Sequence, residues 1–167
     1  INKVKKFNPH LIIIAASVIS LTEIIIDCIK NNFQLILLEK PGFSSPKDLE
    51  KIKNYLIKSN TKILLAFNRR FYESVIKLKN LIMTDKILSG KFSFSERIWH
   101  LNKISKNEKE LAIWYYVNSL HVIDLFFHIC GDPIMINSNS SLKHKWKNNK
   151  TIYVGSGVTN KEVYFSY

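Results

Sequence analysis

The stretch "LILLEKPGFSSPKDLEKIKNYLIKSNTKILLAF", residues 35–67, holds two apolar runs separated by one helical pattern. The runs "LILL" (35–38) and "KILLAF" (62–67) are too apolar to alternate, as buried strands of a parallel sheet are. Between them Ser45 stands where an N-cap would, with Pro46 at the first helical position. Leu49, Ile52, Tyr55 and Leu56 then recur on one helical face over 46–58. Strand, helix and strand in that order predict a parallel pair joined by a right-handed crossover.

Upstream, "LIIIAA" at 11–16 is a third apolar run, read as a strand covered on both faces. A helical pattern at 20–31 links it to 35–38, with Ile24, Ile25 and Cys28 at helical spacing. Ser20 and Glu23 stand there at the spacing of a capping box. Downstream the rhythm changes. A helix is predicted over 73–84, an alternating strand over 91–99 and a polar loop over 100–110. A long helix over 111–130 should stop at Gly131-Asp132-Pro133. Strands are predicted at 134–146, 151–155 and 161–167, with "GSG" (155–157) as the turn between the last two. The fold class is therefore α/β followed by α+β. Residues 1–69 read as a doubly wound segment with a parallel sheet, and 70–167 as an α+β segment.

With 167 residues, 46% of them hydrophobic, the chain can bury a core. Its 25 basic against 13 acidic residues give a formal charge of +12. Arginine occurs only at 69, 70 and 97, whereas recognition of phosphates and bases favours arginine forks. The scattered lysines read as a solvated face, and no nucleic-acid partner is expected. Cys28 and Cys130 have apolar neighbours and no ligand spacing, so reduced thiols, a cytoplasmic location and no metal site are expected. The run "LIIIAASVISL" is broken by serines and too short to span a bilayer, so no membrane is expected either. No leader pattern opens the sequence.

In an open parallel sheet, ligands bind beyond the carboxyl ends of the strands. Those ends are Ala16-Ser17, Glu39-Lys40-Pro41 and Asn68-Arg69-Arg70. Small or polar groups from three strands converge on one rim. Strand ends are also polar simply because loops meet water.

Three motifs, "LLEKP" (37–41), "AFNRRF" (66–71) and "NSLHVIDLFFHICGDP" (118–133), resemble in order and spacing the Gfo/Idh/MocA family. Its members are NAD(P)-dependent oxidoreductases acting mostly on sugars, cyclitols and their derivatives. The resemblance implies NAD or NADP as cofactor, a sugar-like small-molecule substrate and a homo-oligomer formed through the C-terminal sheet. It makes Lys40 the catalytic lysine that hydrogen-bonds the reacting oxygen, on a turn fixed by Glu39 and Pro41. His121 becomes the catalytic histidine, residues 1–69 the C-terminal part of a Rossmann parallel sheet, and 70–167 a helix-covered, mostly antiparallel sheet domain. Ala16, Ser17, Val18, Glu39, Asn68 and Arg69 fall on the cofactor side.

The chemistry agrees with that assignment. Oxidising a secondary alcohol requires removal of the hydroxyl proton as hydride leaves, and a histidine titrating near neutrality suits the proton. An ammonium against the oxygen stabilises developing alkoxide charge. Without the motif, His121 reads equally well as a core histidine. His128 is read as core, and Asp124 as a capping or structural group.

The sequence departs from the family pattern in places. Val18 stands for a common proline, Thr22 for a frequent histidine, and Val117 for an aspartate that many members carry one turn before the histidine, which leaves neighbours such as Tyr116 or Asn118 to hold substrate. No G-x-G-x-x-G run occurs among the five glycines. The resemblance thus implies a piece that lacks the glycine loop and is inactive alone. The alternative is a non-catalytic relative that keeps the fold as a binding or scaffold protein. The missing loop and Val117 favour that alternative; Lys40 and His121 favour the enzyme.

Overall fold

The computed structural model describes residues 1–83, 85–95, 113–143 and 150–167. In chain order the first elements are α1 (Asn2–Lys5), β1 (Ile12–Ile14), α2 (Val18–Lys30), β2 (Leu35–Leu38), α3 (Pro46–Leu56) and β3 (Lys62–Leu65). A 3-10 turn (Asn68–Phe71) leads to α4 (Glu73–Leu81), β4 (Ser89–Lys91), α5 (Trp114–Cys130), β5 (Pro133–Lys143), β6 (Lys150–Thr159) and β7 (Tyr164–Ser166). Among the described residues, 1–67 and 113–118 form one compact unit, and 68–95 with 119–167 form a second.

In the first unit β1, β2 and β3 make a parallel sheet in that order, with Ile14 beside Leu38 and Leu38 beside Leu65. The apolar runs form the predicted strands, trimmed at their ends. Ile14, Ile36 and Leu38 pack with Leu21, Ile25, Ile26 and Ile29 of α2 and with Ile52 of α3. Ile25 and Ile36 have no exposed surface. Burying a side chain of that size contributes about 1.5–3 kcal/mol.

Coverage of both sheet faces, expected from the unbroken apolar run, is not what these elements provide. Ile13 is 67% exposed and Leu64 56% exposed, in one row across the sheet with Leu37. Two successive right-handed crossovers stepping the same way, β1 to β2 to β3, place both helices on one face. Apolar character told that the strands pack, but not on how many sides.

Helix α2 also starts earlier than its predicted cap. Ser17 takes the N-cap position, and the Ser20 hydroxyl lies inside the helix, donating to the Ser17 carbonyl at 2.8 Å. Beginning at Val18 lets that buried valine join the stripe of Leu21, Thr22 and Ile25. Glu23 is left to pair with Lys51 of α3 at 2.6 Å. The cap of α3 is as expected, with the Asp48 N–H donating to Ser45 Oγ. Hydroxyls of Ser44 and Ser45 in turn hold the Asp48 carboxyl below its usual range.

The second unit is a four-stranded sheet in the order β4-β7-β6-β5. Its β5/β6 and β6/β7 pairs are antiparallel and its β4/β7 pair is parallel. Phe126 and Phe127 of α5 meet Phe92, Phe165 and Tyr167 in an aromatic cluster with ring centroids 4.8–6.4 Å apart where they touch. The α5 helix ends where predicted, at Gly131, whose φ of 94° suits a residue without Cβ.

Other boundaries also differ from expectation. Helix α4 stops at Leu81, and β4 lies two residues ahead of the predicted 91–99 strand. Gly90 lets β4 pass beneath Phe126, where an added Cβ would lie 2.8 Å from the ring. Residues 84, 96–99, 111–112 and 144–146 of the predicted elements, and the predicted loop over 100–110, lie outside the described residues. Most informative, "GSG" is no turn. Gly155 and Gly157 lie inside β6, paired with Ser138 and Ile136, and the chain reverses instead through Asn160–Glu162. A Cβ on Gly157 would lie 2.0 Å from the Met135 carbonyl oxygen and 2.7 Å from the Phe165 ring. These glycines serve close approach rather than reversal.

Candidate active site

The carboxyl edge of the first unit's sheet carries most of its candidate residues. The Glu39 N–H donates to the Ile14 carbonyl at 2.9 Å and the Ala66 N–H to the Leu38 carbonyl at 2.8 Å, so the strands end level. Ala16 and Ser17 are exposed there at the start of α2, while Val18 turns into the core. Thr22, the other departure on α2, is 4% exposed.

The turn after β2 is built around Lys40. Its backbone N–H donates to the Glu39 carboxylate at 2.6 Å. Pro41 and Gly42 are buried, and Gly42 (φ 86°) presses against Leu65 and Leu38. The Lys40 Nζ reaches the first turns of α5 and donates to the Val117 carbonyl at 3.0 Å. Ordering a lysine side chain costs about 1.5–2 kcal/mol. A charged hydrogen bond returns about 1.5–3 kcal/mol. The two nearly balance, so the ammonium is placed yet able to exchange this carbonyl for another oxygen.

Next to that acceptor, the Tyr116 hydroxyl lies 3.5 Å from the Pro41 carbonyl and its ring 5.9 Å from that of Phe43. Burial pushes the Tyr116 phenol up to about 12. Val117 packs its side chain on the unit's core together with Ile113, and Asn118 is exposed.

In the second unit Asn68 and Arg69 lie in the 3-10 turn, Asn68 exposed and Arg69 half-buried. Arg70 forks onto Asp124, with Nε donating to Oδ2 at 2.8 Å and a second bond from its terminal nitrogen to Oδ1. Asp124 keeps only 8% of its side chain exposed, so its role is to anchor this turn to α5. His121 lies one helical turn ahead of it, half-buried, with Nδ1 shielded from solvent.

His128 is not a core residue. It is half-buried and lines a cavity of about 450 Å³ with Arg70, Asp124, Asp132 and Lys161. Its Nε2 lies 3.3 Å from the Lys79 Nζ, a contact that a neutral ring can accept and an imidazolium cannot. Burial, then Lys79 and Arg70, hold its pKa below the ordinary 6.5, with Asp124 opposing. The folded form therefore resists protonation. The stability contributed by neutral His128 is full above the unfolded-state value and is lost as pH falls from there through the folded-state value. Its ring resonances should titrate with a midpoint below 6.5. In Lys79→Met that midpoint should rise, and an unmoved midpoint would show that the two side chains do not face each other.

Among the described residues, no three His, Cys, Asp or Glu side chains converge as a metal site. None of the described helices is long and apolar enough to cross a membrane.

No family model and no curated protein matches the sequence. Solved structures do match. Myo-inositol 2-dehydrogenase from Lactobacillus plantarum superposes with a TM-score of 0.76 over 99% of this chain and 52% of its own, at 18% identity. The WlbA dehydrogenase from Bordetella pertussis, solved with NADH and UDP-GlcNAcA, gives 0.75 over 99% and 49%, at 10% identity. An oxidoreductase from Agrobacterium radiobacter, solved with NAD+, L-tartaric acid and magnesium, gives 0.74 over 94% and 46%, at 13% identity.

The fold is that of these oxidoreductases. The chain spans about half the length of the solved structures it matches. The parallel sheet and the mixed sheet that follows it are thus the expected Rossmann-like and α+β parts in their expected order.

The structure brings Lys40, Glu39, Tyr116 and the Val117 carbonyl together in the first unit; Asn68, Arg69 and His121 belong to the second. Two participants escaped the sequence reading. The acceptor for Lys40 is a backbone carbonyl, which no residue type announces. Phe43 was visible beside the "EKP" motif, but nothing in the sequence linked it to Tyr116.

Proposed function

We propose that this chain is the substrate-side half of a Gfo/Idh/MocA-type NAD(P)-dependent oxidoreductase acting on a sugar, cyclitol or nucleotide-sugar alcohol or carbonyl. The supporting observation is Lys40, which leaves the carboxyl edge of a Rossmann-like sheet and extends its ammonium to a backbone carbonyl rather than into an ion pair. That is the arrangement of a cation kept available for a reacting oxygen. The neighbours' cofactors and substrates, NADH and UDP-GlcNAcA for the WlbA dehydrogenase, point the same way.

The nicotinamide end of such a cofactor fits these residues. Ala16 and Ser17 are small and exposed at the start of α2, where first-turn N–H groups can donate to the carboxamide oxygen of a nicotinamide. The pyrophosphate end does not, because no G-x-G-x-x-G run is present in the sequence. Nicotinamide, when bound, supplies the hydride donor or acceptor. Lys40 hydrogen-bonds the reacting oxygen and stabilises its charge, and His121 moves the hydroxyl proton. Ser17, Val18, Glu39, Asn68 and Arg69 serve the cofactor side, and Asn118 borders the substrate.

The second unit's sheet would join copies of the chain, in a cytoplasmic enzyme. Met135, Val154 and Tyr164, each more than half exposed, give that sheet an apolar outer face.

The second reading, a non-catalytic scaffold, rests on Val117, whose side chain is spent on the core where the family carries a carboxylate. Calorimetry with NADH and NADPH separates the two. Expressed from its complete coding sequence, the protein should bind one of them on the order of micromolar. The 167 residues alone should bind far more weakly, having no phosphate cradle. Absence of binding by the complete protein at millimolar cofactor would favour the scaffold.

A further inference from the structure

We propose that Tyr116 is a positioning residue for Lys40, clamping the 40–43 turn so that the ammonium meets the Val117 carbonyl. Lys40 matters catalytically only under the oxidoreductase reading; the clamp itself needs neither cofactor nor substrate.

The Lys40 contact has two ends, and Tyr116 touches both. At one end the acceptor is the carbonyl of the next residue, Val117, fixed by its own N–H bond to the Ile113 carbonyl at 2.9 Å and by packing on the core. At the other end lies the turn. There the Tyr116 hydroxyl approaches the Pro41 carbonyl and its ring lies against Phe43, the residues one and three places after Lys40.

A flexible four-carbon stem keeps one geometry only if its root and its acceptor are held relative to each other. Buried Pro41 and Gly42 anchor the root to the sheet, and Tyr116 ties that root to α5. The 3.5 Å hydroxyl contact is at the limit of a hydrogen bond, so the ring supplies most of the hold. Burial keeps the phenol protonated well into the alkaline range, so pH does not release the clamp.

The test is acylation of lysines by an N-hydroxysuccinimide ester, quantified peptide by peptide in the complete protein. Lys47 and Lys53, exposed on α3, serve as internal references. Tyr116→Ala should raise the Lys40 rate relative to them by about fivefold, as loss of a modest contact does. Tyr116→Phe, which keeps the ring, should stay close to wild type. Should the alanine variant not fold, Tyr116→Leu takes its place under the same criteria. An unchanged Lys40 rate overturns the proposal, as does a parallel rise at all three lysines, which would mark general loosening. Both outcomes are separate from failure of cofactor binding, which overturns the enzyme reading and leaves the clamp standing.

Discussion

In the protein expressed from its complete coding sequence, Lys40→Met should lower turnover by ~10²–10³-fold while leaving fold and nicotinamide binding intact. Methionine keeps most of the aliphatic stem, so the packing beneath the turn survives. What disappears is the cation and its bond to the Val117 carbonyl. That bond nearly balances the entropy of ordering the side chain, so its loss should barely move stability. The rate should respond because charge develops on the reacting oxygen where a preorganised ammonium is worth most. Steady-state kinetics, with calorimetry for the cofactor, separates the two effects. A variant with near-normal turnover would remove Lys40 from the chemistry.

Gly157→Ala should destabilise the second unit by about 3 kcal/mol, the upper part of the range for overpacking. The added methyl would stand 2.0 Å from the Met135 carbonyl oxygen, a backbone atom of the paired strand, and 2.7 Å from the Phe165 ring. Neither a rotamer change nor a surface shift relieves a clash with a neighbouring backbone. Urea denaturation should show a lowered midpoint with an unchanged slope. A loss below about 0.5 kcal/mol, the scale of an ordinary surface change, would mean that β5 and β6 do not pair in this register.

That glycine also marks where the sequence was legible and where it was not. The strand–helix–strand unit over 35–67 could be read because each of its signals is local: two apolar runs, a serine cap and a proline at the first helical turn. Gly131 ended α5 for the same reason. "GSG" misled because glycine has two uses, reversing the chain and admitting a close neighbour. Only the positions of Phe165 and the Met135 carbonyl, each distant or opposite in the fold, decide between them. That α2 and α3 lie on the same face of the first sheet was similarly hidden, because it follows from the direction of successive crossovers rather than from any side chain.

The candidate site divides in the same way. Lys40 and His121 stood out through motifs and through what their side chains can do with a proton or a charge. The Val117 carbonyl could not, because a backbone acceptor carries no residue signature. His128 reads as core from its apolar neighbours along α5. In space it faces Lys79 and a cavity to which Arg70 and Lys161, far away in sequence, bring charge.

The role proposed for these residues is hydride transfer to or from a nicotinamide. Its most direct test is transfer of deuterium from deuterated NADH or NADPH to a panel of keto-sugars, keto-cyclitols and nucleotide-linked keto-sugars. The protein should be expressed from its complete coding sequence and the products read by mass spectrometry. At least one product should gain a single deuterium, and Lys40→Met should suppress its formation while cofactor binding persists. A protein that binds the cofactor yet labels no product, or labels it equally well without Lys40, would contradict that role.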